Sequence, residues 1–136
     1  MPKRPEEIFP FFSDAVNLER ITPSFLHFRI VTPLPITMGE GTIIDYRLKL
    51  HGVPVRWRSL IPVWEPDRGF VDQQIQGPYR EWYHEHTFEA VEGGCLCRDR
   101  VDYLAPCGRA VGRLFVDHDV LEIFRFRQTA LADLLM

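Results

Sequence analysis

Asp72, His84, His86 and Asp99 are the residues whose types and spacing suit proton chemistry. They fall in three consecutive stretches, FVDQQIQ, EWYHEHTFEA and CLCRDRVDYL. His84 and His86 stand one position apart, and on a strand both project from one face because side chains alternate with a period of two. An imidazole beside a carboxylate has a defined tautomer and a tunable pKa, so it can recognise a ligand or move a proton near neutral pH. The same types suit a hydrogen-bonded lining for a water-containing cavity, and His-x-His with a carboxylate resembles a metal ligand set. The face they occupy decides whether any of this matters.

The turns between the stretches set the register. A His51-Gly52 hairpin turn pairs Leu50 with Val53, Leu48 with Val55 and Tyr46 with Trp57. A four-residue Pro66-Asp67-Arg68-Gly69 loop, with glycine in the left-handed position, pairs Glu65 with Phe70, Val63 with Asp72 and Ile61 with Gln74. A five-residue GPYRE loop pairs Gln76 with Trp82, Gln74 with His84 and Asp72 with His86. A two-residue Glu92-Gly93 loop then pairs His86 with Asp99 and His84 with Val101.

Followed across these turns, one face carries Asp72, Gln74, Trp82, His84, His86, Phe88, Asp99, Val101 and Tyr103. The other carries Glu85, Glu89, Arg98, Arg100 and Asp102, which belong in water. The histidines are therefore predicted to point inward. Directly opposed side chains lie about 5 Å apart at Cβ, which sets Asp72, His86 and Asp99 in a row across three strands. Buried without partners, such a set would cost several kcal/mol. With Tyr46, Trp57, Trp82 and Tyr103 it describes a pocket of apolar walls and a few convergent polar groups.

The elements that must hold this face are short helices, six antiparallel strands and a long terminal helix. Pro5 suits the first helical position, Glu6 and Glu7 favour the positive end of the dipole, and Pro10 predicts a short or distorted helix. Asp14 is placed to cap a second short helix with Leu18 and Ile21 inward, ended by Thr22-Pro23. Strands are expected over 25–32, 42–50, 53–64, 70–76, 82–91 and 95–104, with Val55, Trp57, Ile61 and Val63 inward and Arg56 and Arg58 outward. From about Asp117 to Leu135 the period returns to helix, with Val120, Phe124, Arg127, Leu131 and Leu134 on one stripe. Strands grouped together with helices at the ends predict an α+β fold.

Bulk properties narrow the function. The 136 residues make one domain, 1–136, and 46% apolar residues with mixed charge describe a globular protein. A net charge of −3 and a pI near 5.9 offer no basic stripe for nucleic acid. No run reaches the ~18 apolar residues of a membrane span, and the opening MPKRPEEIF lacks the core of a signal peptide. Cys95, Cys97 and Cys107 give an odd count without paired CxxC motifs, which favours a reducing, cytoplasmic setting over a disulfide framework. Cys95 sits beside a turn and only Cys97 is expected on the inner face, which argues against a two-cysteine zinc site.

The run GPYREWYHEHTFE, preceded by GVPVRWRSLI and FVDQQIQ and followed by LEIFRFRQTAL, resembles the SRPBCC superfamily, the START and birch-pollen-allergen-like class. The likeness is to its bacterial ligand-binding, polyketide-cyclase-like branch and covers nearly the whole chain. It implies a helix-grip fold: a curved antiparallel sheet wrapped on a long C-terminal helix, with a cavity between them for a small hydrophobic or amphipathic molecule. It implies no metal and no cofactor. The family's usual first strand is missing or very short here, since four residues precede Pro5 and span about 13 Å at most. A start codon placed too late gives the same sequence. Six strands are expected, with two open edges available to a second copy or another chain.

The expected function is binding of such a molecule by Tyr46, Trp57, Asp72, Gln74, Trp82, His84, His86, Asp99, Tyr103 and Phe124. The alternative is a cyclase or dehydratase-like enzyme using His84 or His86 with Asp72 or Asp99 as acid and base. A weaker alternative is an interaction module docking through the sheet edges. Arg113 is a candidate for the cavity mouth, and Gly77-Pro78-Tyr79 is read as a rigid corner.

Overall fold

The computed structural model describes residues 2–50, 52–104 and 117–135. The architecture is α+β. Helices α1 (Pro5–Phe12) and α2 (Asn17–Arg20) lead into six strands: β1 (Arg29–Ile30), β2 (Ile43–Leu50), β3 (Val53–Glu65), β4 (Gly69–Gln76), β5 (Glu81–Val91) and β6 (Gly94–Leu104). They form one antiparallel sheet in chain order, with β1 and β6 outermost. Helix α3 (Asp117–Leu135) follows. Among the described residues, no helix is long and apolar enough to cross a membrane.

Helix α1 begins at Pro5, and the Glu7 carboxylate accepts from the Arg4 backbone N–H at 2.8 Å, tying off one orphan donor of the first turn. Pro10 lies inside it but on the exposed side, so the helix runs on to Phe12 and still buries Ile8, Phe9 and Phe12. Asp14 accepts from the Val16 N–H at 3.1 Å rather than capping α2, which is a single turn with Val16 at its N-cap.

The expected first strand is shorter than 25–32. Ser24–Leu26 form a 3₁₀ turn and His27 takes a left-handed φ of 48°, which breaks the extended run; only Arg29 and Ile30 pair with β2. The β2–β3 and β5–β6 ladders carry the expected pairs, Tyr46 with Trp57, Leu48 with Val55, His84 with Val101 and His86 with Asp99.

The two ladders around β4 differ. The turn before it has three residues, with Asp67 in the left-handed position (φ 63°), so Glu65 pairs with Gly69 and Trp64 with Phe70. Gly69 is instead the first residue of β4, where a Cβ would collide with the His86 carbonyl oxygen. A bulge between Leu60 and Val63 then lets both Ile61 and Trp64 face inward, and Val63 is 37% exposed. A second irregularity adds Ile75 on β4, opposite the Arg58–Ser59 step. Across β4 and β5, Phe70 pairs with His86 and Asp72 with His84, two residues from the expected register but with the same parity. The cause is Gln74, whose amide bonds Tyr79 twice (Nε2 to Tyr79 O, 2.7 Å; Tyr79 N–H to Oε1, 3.1 Å) and ends the ladder early.

One apolar cluster joins Phe9, Phe12, Phe70, Phe88 and Leu131; a second joins Ala15, Ile44, Tyr46 and Ile61. Phe9 meets Trp64 and Phe88 edge-on, with centroids 5.0 and 5.7 Å apart, and such pairs are worth about 0.5–1.5 kcal/mol each beyond area burial. Helix α3 buries Val120, Arg127 and Leu131 and half-buries Phe124, while Leu134, expected on the same stripe, is exposed.

Candidate functional site

Between the sheet and α3 lies a cavity with about 160 Å³ of room for the centre of a water-sized sphere. A single water needs about 10–15 Å³ on that measure. Its walls are apolar and aromatic: Tyr46 and Trp57 from β2 and β3, Trp82 from β5, Tyr79 from the β4–β5 connection, Phe12 from α1 and Phe124 from α3. Trp57, Tyr79 and Trp82 brace one another with centroids 4.9–5.5 Å apart. The Trp57 indole N–H donates to Ser59 Oγ at 2.9 Å, so that donor is satisfied within the wall.

At one end stand the carboxylates and imidazoles. Because His84 and His86 share the inner face of β5, their rings lie 3.6 Å apart between centroids. The carboxylates reach them diagonally from both neighbouring strands: His86 Nε2 lies 2.6 Å from Asp72 Oδ2 on β4, and His84 Nε2 lies 2.9 Å from Asp99 Oδ1 on β6. His86 also stacks on Phe70 at 4.0 Å and is 2% exposed; His84 is 5% exposed. Arg127, 8% exposed, enters from α3 over the Phe12 ring. Its Nη2 lies 3.0 Å from His86 Nδ1 and donates to Asp99 Oδ1 at 3.4 Å.

These contacts assign the protons. A guanidinium can only donate, so His86 Nδ1 must accept, which leaves the His86 proton on Nε2 pointing at Asp72. His84 Nε2 donates to Asp99, because Asp99 is held far below the usual carboxylate range: burial pushes it up, but the His84 hydrogen bond, the neighbouring His86 ring (Nδ1 3.3 Å from Oδ1) and the Arg127 charge outweigh that. Asp72 is likewise lowered, burial being outweighed by His84, His86 and Arg127. Burial and the neighbouring His86 bring His84 down to about 4. Near neutral pH, His84 Nδ1 is then a bare lone pair, 3.5 Å from Asp72 Oδ2.

No family model matches the chain, and no curated protein does. Solved structures do. The structure of Ms6760 from Mycobacterium smegmatis superposes with a TM-score of 0.72 at 16% identity, covering 99% of this chain and 85% of that one. TTHA0849 from Thermus thermophilus gives 0.65 at 16% identity, covering 98% and 87%. Ara h 8.0201, a Bet v 1-like protein, gives 0.61 at 17% identity, covering 96% and 92%. The fold is a Bet v 1-like helix grip.

Within this helix grip, Tyr46, Trp57, Asp72, Trp82, His84 and Phe124 line the cavity. His86 and Asp99 stand behind His84 and support it. Gln74 is a structural residue of the β4–β5 turn, and Tyr103 packs on Tyr79 and Trp82 at 6.1 and 6.0 Å. Among the cavity residues beyond the sequence reading are Tyr79 and Arg127. Tyr79 sits on the turn that the sequence marks only as a corner. Arg127 belongs to the stripe it marks as apolar, although an arginine on an inward helical face is itself a signal of a buried acidic partner. Cys95 shares the inner face with Cys97 and is buried under the apolar cluster; burial raises the Cys97 thiol to about 12. Arg113 and Cys107 lie outside the described residues.

Asp72, His84 and His86 each place one ligand atom within 4.8 Å of the others, close enough for a metal ion. The donor set fits poorly. A metal on His86 Nε2 would move the ring proton to Nδ1, where the Arg127 donor stands 3.0 Å away. Two donors would face each other, with a guanidinium next to the cation. The cluster as folded is arranged around protons.

Proposed function

We propose that the protein binds a small, largely apolar molecule in the cavity between sheet and α3. The helix grip is in general a fold for hydrophobic ligands, and the observation that carries the reading is the aromatic-walled cavity with His84 and Asp72 at one end. Apolar walls give affinity and the few polar groups orient the ligand. The test is to extract the purified protein with organic solvent and identify what copurifies by mass spectrometry, with titration followed through Trp57 and Trp82 fluorescence. A stoichiometric apolar compound that quenches these indoles on rebinding is expected; an empty protein that no apolar compound perturbs would remove the reading.

A second reading, a cyclase or dehydratase-like enzyme, is favoured by one observation: His84 is oriented by Asp99 at 2.9 Å and borders the cavity. Against it, a general base works best with a pKa near the working pH, and His84 is lowered to about 4. Conversion of the bound molecule, abolished in His84→Gln, would favour the enzyme over the carrier.

A further inference from the structure

The polar end of the cavity has a chemical polarity of its own. Asp72 and His84 border the cavity there. The His84 Nε2 proton is committed to Asp99 at 2.9 Å and the His86 Nε2 proton to Asp72 at 2.6 Å. Arg127 also borders the cavity; its Nη2 is directed at His86 and Asp99, while its buried Nε, 3.3 Å from Asp99 Oδ2, makes no hydrogen bond among the described residues. Elsewhere on the wall, Trp57 donates to Ser59, whose hydroxyl is also paired with the Tyr46 hydroxyl, and Thr22 Oγ1 donates to the Leu18 carbonyl. Between β4 and β5, two cavity-lining residues bring a pair of acceptors together, His84 Nδ1 and Asp72 Oδ2, separated by 3.5 Å.

The charges point the same way. The Asp72 carboxylate, held below its usual range by His84, His86 and Arg127, borders the cavity as an anion. Two lone pairs facing each other in an apolar environment are unfavourable until a donor comes between them. A second carboxylate would add lone pairs to lone pairs.

We infer that the ligand presents an O–H or N–H donor to His84 Nδ1 and Asp72, a hydroxyl or ammonium head on an apolar body, and that the site rejects carboxylates. This rests on the cavity being the binding site, as proposed above. A site built for a donor discriminates strongly against an analogue that lacks it, because its own polar groups are then left unpaired.

The test uses the intact wild-type chain and three compounds on one carbon skeleton: phenylpropanol, phenylpropylamine and phenylpropanoate. Dissociation constants are measured near neutral pH by tryptophan fluorescence and calorimetry. The alcohol or the amine is expected to bind at least about tenfold more tightly than the acid, and their order shows whether a neutral donor or attraction to the Asp72 carboxylate dominates recognition. In Asp72→Asn the preference should shrink several-fold. If the acid binds as well as the others, or if Asp72→Asn keeps the full preference, the inference is overturned while the cavity reading stands. If none of the three perturbs the indoles at millimolar concentration, both fall together.

Discussion

The Arg127 Nη2 nitrogen lies 3.0 Å from His86 Nδ1, and that one contact fixes which nitrogen of His86 carries the proton. By occupying the Nδ1 lone pair it turns the His86 proton toward Asp72, while His84, its ring tilted alongside at 3.6 Å, gives its own proton to Asp99. A helix residue thus joins a hydrogen-bond pattern laid out across three strands.

Removing that guanidinium should be expensive. Arg127→Met keeps much of the stem that packs on Phe12 but takes from Asp99 and Asp72 the fixed cation beside them. A loss of about 3 kcal/mol is expected, in the range for breaking a buried ion pair. Urea denaturation measures it, and Arg127→Met with Asp99→Asn should recover part of it. A single variant as stable as wild type would show that the contact contributes nothing.

Acid should destabilise the protein before its ordinary carboxylates titrate. The His84 pKa falls from near 6.5 to about 4 on folding. The unfolded chain therefore binds a proton that the native state does not, and stability drops as pH falls from about 6.5 toward 4. Asp72 and Asp99, lowered in the native state, contribute stability above their unfolded values and lose it at more acid pH still. Denaturation midpoints at stepped pH should show the first fall in wild type and a much weaker one in His84→Phe; a flat profile over that window would contradict the burial of a neutral His84.

Gly69→Ala tests how closely β4 approaches β5. The added methyl would meet the His86 carbonyl oxygen, backbone that cannot rotate away. A destabilisation on the order of 2 kcal/mol is expected from the forced strand shift, with a change in the His86 imidazole resonances in an NMR spectrum. Unchanged resonances would mean that the two strands have slack.

Ile123→Trp should fill the cavity from the α3 side. Uptake of apolar compounds is expected to fall more than tenfold with little loss of stability, since the added ring occupies space that is already empty. Full binding by this variant would move the site elsewhere.

Much of this was legible in the residues. Alternation with charged Arg98, Arg100 and Asp102 on one side put His84 and His86 on the other, and the two hairpins closed by Gly52 and Gly93 fixed their ladders. What stayed hidden depends on long-range contact. Gln74 turning back onto Tyr79 moves the β4–β5 register by two residues, so Asp72 and Asp99 reach the imidazoles diagonally rather than in a row. Val63 and Trp64 exchange faces because of a bulge that no local propensity announces. Arg127 could be placed on the inward stripe, but its partner could not be named without the helix–sheet distance.

The two irregularities between β3 and β4 have opposite sense. One inserts a residue on β3 next to Pro62 and the other inserts Ile75 on β4, so Arg58–Gln76 at one end is back in step with Glu65–Gly69 at the other. Like a paired insertion and deletion in a reading frame, they cancel beyond the short window they enclose. The sheet can bend sharply beside Asp72 while every strand further out keeps its phase, and a change that removed either extra residue alone would throw one end of the ladder onto the wrong side.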